Sequence, residues 1–115
     1  MEVSVETEGD ICVVTICGTR IDAAVALAFK ETTRRVIEDS AGDIVLDLER
    51  VTFIDSSGLG ALVATYKLLT PERGLVLVGM TPAVTKVFEL TRMDTIFRMY
   101  PTRTEALNAI VARAL

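Results

Sequence analysis

Short, nearly continuous apolar runs set between stretches of helical spacing constrain this chain more than any other feature. Ile44-Val45-Leu46-Asp47-Leu48 and Leu75-Val76-Leu77-Val78 carry almost no polar alternation. Runs of that kind fit strands covered on both faces, as in a parallel sheet flanked by helices. Between them, residues 59–69 place Leu59, Leu62, Val63, Tyr66 and Leu69 on one side of a helix. Ahead of them, Val3, Val5 and Thr7 alternate with polar residues, Glu8-Gly9-Asp10 signals a turn, and residues 11–17 read as a more buried strand. The two strands are close enough to form a hairpin. Gly18 ends the second, and Asp22 is a good N-cap for a helix to about Glu38, with Val25, Phe29, Thr33 and Val36 or Ile37 facing inward.

The second half continues the alternation. Thr81-Pro82 opens a third helix carrying Val84, Val87, Phe88 and Thr91. Residues 96–100 form a last short strand. Thr102-Arg103-Thr104-Glu105 is a capping box for a C-terminal helix bearing Leu107, Ile110 and Val111. The order predicts an α/β fold: a mixed, mostly parallel sheet with an antiparallel N-terminal β-hairpin and about four helices. At 115 residues, without internal repeat or linker, one domain over residues 1–115 is expected.

Composition removes several functions. Mean hydropathy is +0.44, high enough to ask about a membrane. Yet the longest apolar runs, at residues 11–17, 23–29 and 58–65, fall well short of the ~20 residues a spanning helix needs. Met1-Glu2-Val3-Ser4 begins neither a basic nor an apolar export region, so a soluble, cytoplasmic protein is expected. A net charge of -4 and scattered basic residues argue against nucleic acid as a partner. Cys12 and Cys17 lie five positions apart in one strand, roughly 16 Å and on opposite faces, so they cannot bridge. The chain has no histidine, hence no Ser-His-Asp or Cys-His nucleophile and no imidazole metal site. No phosphate-cradling glycine loop is present either. Neither a metal nor a cofactor is expected, and catalysis is not.

Asp55-Ser56-Ser57-Gly58 is the segment packing explains least. A carboxylate and two hydroxyls sit where a strand hands over to a helix, the end of an α/β sheet where ligands and partners gather. Amides of Ser57, Gly58 and Leu59 would face outward and favour negative charge. Gly58 and Gly60 would leave a partner's approach open. A plain helix cap accounts for the same residues equally well. Asp22 reads as an ordinary cap. Asp47, in an apolar run, reads as a strand-end carboxylate bonded to loop backbone. Arg92 and Asp94 read as solvated end charges.

The run from Ile44 through Asp47, Phe53-Ile54-Asp55-Ser56-Ser57-Gly58 and on to Leu62 closely resembles the signature of STAS domains, nearest to the anti-sigma factor antagonists. Gly18-Thr19-Arg20-Ile21-Asp22, Thr91 to Phe97 and Glu105-Ala106 are similar to further parts of that pattern, so the resemblance covers nearly the whole chain. It implies that Ser56 accepts a phosphate from an anti-sigma factor that is itself a serine kinase. It also implies that Asp22, Asp55, Ser57, Gly58 and Leu59 contribute to the partner surface. The unphosphorylated form would bind the anti-sigma factor and free its sigma factor; a serine phosphatase would restore it after phosphorylation. A monomer when free is expected. Two features depart from the pattern: Arg20 stands where many relatives carry an acidic or small residue, and Thr19-Arg20 adds one residue to the loop. The alternative is a STAS scaffold, or a subunit of a transport or stress-signalling complex, with no phosphorylation cycle. An enzyme or phosphoryl carrier using Ser56 with Asp55 is a third reading; it lacks an activating base other than carboxylates.

Overall fold

In the computed structural model, which describes the backbone of residues 1–114 and the side chains of residues 1–113, the apolar runs lie at the centre of a five-stranded sheet. Strand β1 (Val3–Glu8) pairs antiparallel with β2 (Ile11–Ile16), as the hairpin pattern predicts. β2 then runs parallel to β4 (Ile44–Asp47), β4 to β6 (Leu75–Val78), and β6 to β7 (Arg98–Tyr100), in the order β1-β2-β4-β6-β7. Strands β3 (Arg20–Ile21) and β5 (Phe53–Ile54) form a separate two-stranded parallel ribbon. Four helices complete the fold: α1 (Ala26–Glu38), α2 (Ser56–Leu68), α3 (Pro82–Leu90) and α4 (Arg103–Ala114).

The period-2 alternation of strands assigns each side chain to one of two cores. Cys12, Val14, Ile16, Ile44, Leu46, Leu75 and Leu77 meet Phe29 and Ile37 of α1, Leu59 and Leu62 of α2, and Val84 and Phe88 of α3. Val13, Val45, Val76 and Val78 on the other face meet Ala106 and Ile110 of α4. Every residue of β4 and β6 is buried, which is why their sequence shows no polar alternation. Where α1 crosses α2, the hydroxyls of Thr33 and Thr65 lie 3.0 Å apart in the core. That contact gives two polar residues a buried place.

Several expectations require correction. α1 starts four residues after Asp22, with Val25 at its N-cap position and no side-chain cap. Asp22 instead opens a turn, its Oδ1 accepting from Ala24 N–H and its carbonyl from Val25 N–H. α2 starts at Ser56, three residues earlier than the apolar stripe suggests, because Asp55 caps it there. Tyr66 and Val111 are exposed rather than inward. A 3-10 turn at Met93–Thr95 takes up part of the segment before β7, which begins at Arg98 rather than residue 96. Arg92, in the left-handed region at φ 62°, makes the reversal into that turn.

Candidate functional site

The ribbon β3–β5 and the start of α2 assemble one polar cluster beyond the C-terminal end of β4. Asp55 has extended backbone and holds the helix start. Its Oδ1 accepts from Gly58 N–H at 2.9 Å and its Oδ2 from Ala23 N–H at 3.2 Å. One carboxylate thus ties the first turn of α2 to the connection leading into α1. Leu59 N–H donates to the Asp55 carbonyl at 2.9 Å. The amides of Gly58 and Leu59 are therefore taken by the cap. Those of Ser56 and Ser57, at the first two helical positions, have no partner within the helix.

Ser56 and Ser57 are both exposed, whereas Gly58 and Leu59 are buried. A Cβ on Gly58 would collide with the Ile21 carbonyl oxygen and lie 2.8 Å from Ile54 Cγ1. The glycine lets α2 sit directly on the ribbon; it is not an opening for a partner, as sequence reading had it. Gly60 is exposed, with nothing within 4 Å of where a Cβ would be.

Asp22 is a mostly covered carboxylate on the same surface. Its Oδ2 accepts from Arg20 Nε at 2.9 Å, and that bond holds the Asp22 carboxyl below the usual carboxylate range. The Arg20 guanidinium in turn lies over the half-exposed Phe53 ring, 4.1 Å from its centroid. The structure thus brings Asp22, Asp55, Ser56 and Ser57 together, with Gly58 and Leu59 beneath them. It adds Arg20 and Phe53, which are cross-strand partners in the ribbon. Phe53 was missed as part of this surface because a two-residue strand leaves no periodic signal.

Asp47 stands elsewhere. Its Oδ1 accepts from Glu49 N–H at 3.0 Å, the loop-backbone bond expected of a strand-end carboxylate. Its Oδ2 accepts from Arg103 at 3.0 Å, and that guanidinium also donates to Thr15 at 2.9 Å and Glu6 at 3.2 Å. These bonds clamp the start of α4 to the sheet, and Asp47 first among them raises the Arg103 pKa above its ordinary value. The partner lies 56 residues away, so no local pattern announces it. Among the described residues, no His, Cys, Asp or Glu cluster could hold a metal ion. None of the helices described is long and apolar enough to cross a membrane.

A doubly covered mixed sheet with an N-terminal hairpin, and a polar cluster at the start of its second helix, defines an α/β domain of the kind found in STAS proteins. The STAS domain model matches residues 2–106, and the chain belongs to that family. The anti-sigma-B factor antagonist of Staphylococcus aureus (strain NCTC 8325 / PS 47) is 31% identical over 75 residues, 64% of this chain and 69% of that protein. The crystal structure of an anti-sigma factor antagonist from Mycobacterium paratuberculosis superposes with a TM-score of 0.86 at 36% identity, covering 95% of this chain and 92% of that one. A sulfate transporter family protein from Wolinella succinogenes shares the fold at a TM-score of 0.78 and 20% identity, over 93% of this chain and 89% of that one.

Proposed function

We propose that this chain is an anti-sigma factor antagonist that works by partner switching, with Ser56 as the phosphoacceptor. The observation that carries the reading is the placement of Ser56. It is exposed, it is the first residue of α2, and it follows a carboxylate whose two oxygens are both bonded to backbone N–H groups. Its hydroxyl is open to a kinase, while the scaffold around it is held by the cap.

In the unphosphorylated state, the surface around Asp22, Asp55, Ser56 and Ser57 docks on an anti-sigma factor that is itself a serine kinase. Gly58 and Leu59 support that surface from beneath. Transfer breaks the terminal P–O bond of the kinase's nucleotide and forms the Ser56 Oγ–P bond; the hydroxyl proton leaves to a base on the kinase. The chain is substrate rather than catalyst: it has no histidine, and Asp55 is engaged with backbone. The phosphate adds about -1.5 to -2 charge beside Asp22 and Asp55. Docking then fails through repulsion and desolvation at the interface, without refolding of the domain, until a serine phosphatase removes the group. The cycle takes place in the cytoplasm.

Affinity capture from growing and stressed cells, with phosphosite mapping, tests the proposal. The expected result is phosphate on Ser56 and a kinase-like anti-sigma factor retained only by the unphosphorylated protein. Unmodified Ser56 in every condition, with a transporter component or scaffold as steady partner, would replace the switch by a constitutive docking role. The fold shared with the sulfate transporter family protein is the observation behind that second reading.

A further inference from the structure

Arg20 lies in the ribbon whose second strand leads directly into Ser56. It stands opposite Phe53 in the ribbon register, and Asp22 and Asp55 occupy the positions two residues further along the two chains. Ser56 follows Phe53 by three residues, roughly 10 Å at strand spacing. The Arg20 side chain is already bent in that direction, since its Nε reaches Asp22. The guanidinium is thus fixed at one edge by Asp22 and from below by the Phe53 ring. Among the described residues, neither of its Nη groups has a hydrogen-bond partner. A stacked, ion-paired guanidinium with a free two-donor edge is preorganised for a phosphate, because little side-chain freedom remains to be lost.

We propose that Arg20 is the built-in counter-charge of the modified switch: once Ser56 carries a phosphate, the free Nη edge of Arg20 pairs with it while Nε stays on Asp22. This rests on the reading of Ser56 as phosphoacceptor and adds how this chain accommodates the modified state. The carboxylates near the phosphate are Asp22 and Asp55, and the first turns of α1 and α2 contain no acidic residue. Arg20 offsets part of the local negative charge and orders the phosphate against the ribbon. Phosphorylation would then cover the Phe53 edge of the surface as well as charging it.

The test uses the full chain with phosphoserine incorporated at position 56 during translation, so no kinase is required. Phosphorus NMR titration would follow the second ionisation of the phosphate in the parent protein, Arg20→Gln and Arg20→Lys. The expected pKa is lower in the parent than in Arg20→Gln by about 0.5–1 unit, with Arg20→Lys between them. The helix N-terminus acts equally in all three, so the difference isolates residue 20. The unphosphorylated Arg20→Gln protein should melt only slightly below the parent, because the Arg20–Asp22 bond it loses is at the surface; a large loss of stability would instead mark Arg20 as structural. Equal phosphate pKa values in all three proteins would overturn the inference and leave Ser56 as acceptor untouched. Absence of phosphate on Ser56 in cells would overturn the switch without altering this titration.

Discussion

The starts of α2 and α4 follow the same capping grammar and are put to opposite uses. Each helix follows a strand, and each has a side-chain oxygen holding its first turn: Asp55 on Gly58 N–H, and Thr102 on Glu105 N–H. At α4 the first turn also carries Arg103, which reaches across the sheet to the buried Asp47. At α2 the cap bonds only to backbone, and the next two residues are exposed serines. One start is locked by a long-range ion pair. The other is rigid beneath and chemically open above, which is what a modifiable docking surface needs. A capping pattern is therefore silent about function until the neighbours of the cap are known.

The difference can be broken or sharpened by substitution, beginning with the clamp. Asp47→Ala should cost about 2–3 kcal/mol, because it removes the buried one of Arg103's two ion-pair partners and the acceptor of Glu49 N–H; the figure stays below that of a fully unpaired charge because Arg103 is 34% exposed and keeps Glu6 and Thr15. Urea unfolding would read it, and a loss no larger than that of a surface change would end the notion of a locked α4. Gly58→Ala should cost about 2 kcal/mol, since the added methyl meets the Ile21 carbonyl and Ile54. Tolerance of alanine there would mean that α2 does not need its close seat on the ribbon. Asp55→Ala should cost about 1 kcal/mol as a lost cap, and Ser56→Ala under about 0.5 kcal/mol. Thermal melts of that pair, set against phosphorylation by the cognate kinase, would separate cap from acceptor: Ser56→Ala should lose all phosphorylation while keeping stability.

The smallest effect concerns pH. The Arg20 hydrogen bond lowers the folded-state pKa of Asp22, so its stabilising contribution is present above the unfolded pKa and is lost as pH falls through the folded one. Carboxyl NMR titration should place Asp22 below the usual carboxylate range and return it upward in Arg20→Gln. An Asp22 pKa unchanged by that substitution would remove Arg20 as its anchor.

Much of this was legible in the residues. Alternation in the hairpin, unbroken apolar runs in β4 and β6, and stripes in α1 and α3 each reflect a local period meeting a covered or half-covered face, so the strands of the main sheet and the four helices followed from sequence, whereas the short ribbon β3–β5 and the 3-10 turn did not. Asp55-Ser56-Ser57-Gly58 stood out because polar residues at a strand-to-helix handover are not required by packing. Position within the elements was less legible. Asp22 has the composition of a cap, yet Arg20 and Ala24 claim its carboxylate, and Val25 takes the cap position without a side-chain bond.

Sequence by itself determined the α/β alternation, the hairpin, the two buried central strands and the exposed-serine motif, because these depend on periodicity and on residues within a few positions of one another. Only the tertiary structure decided that Gly58 is needed for contact with β3, that Asp47 holds Arg103, and that Arg20 stacks on Phe53 in the ribbon leading to the serine. Those relations join residues tens of positions apart, brought together by burial of apolar faces that local patterns mark without pairing.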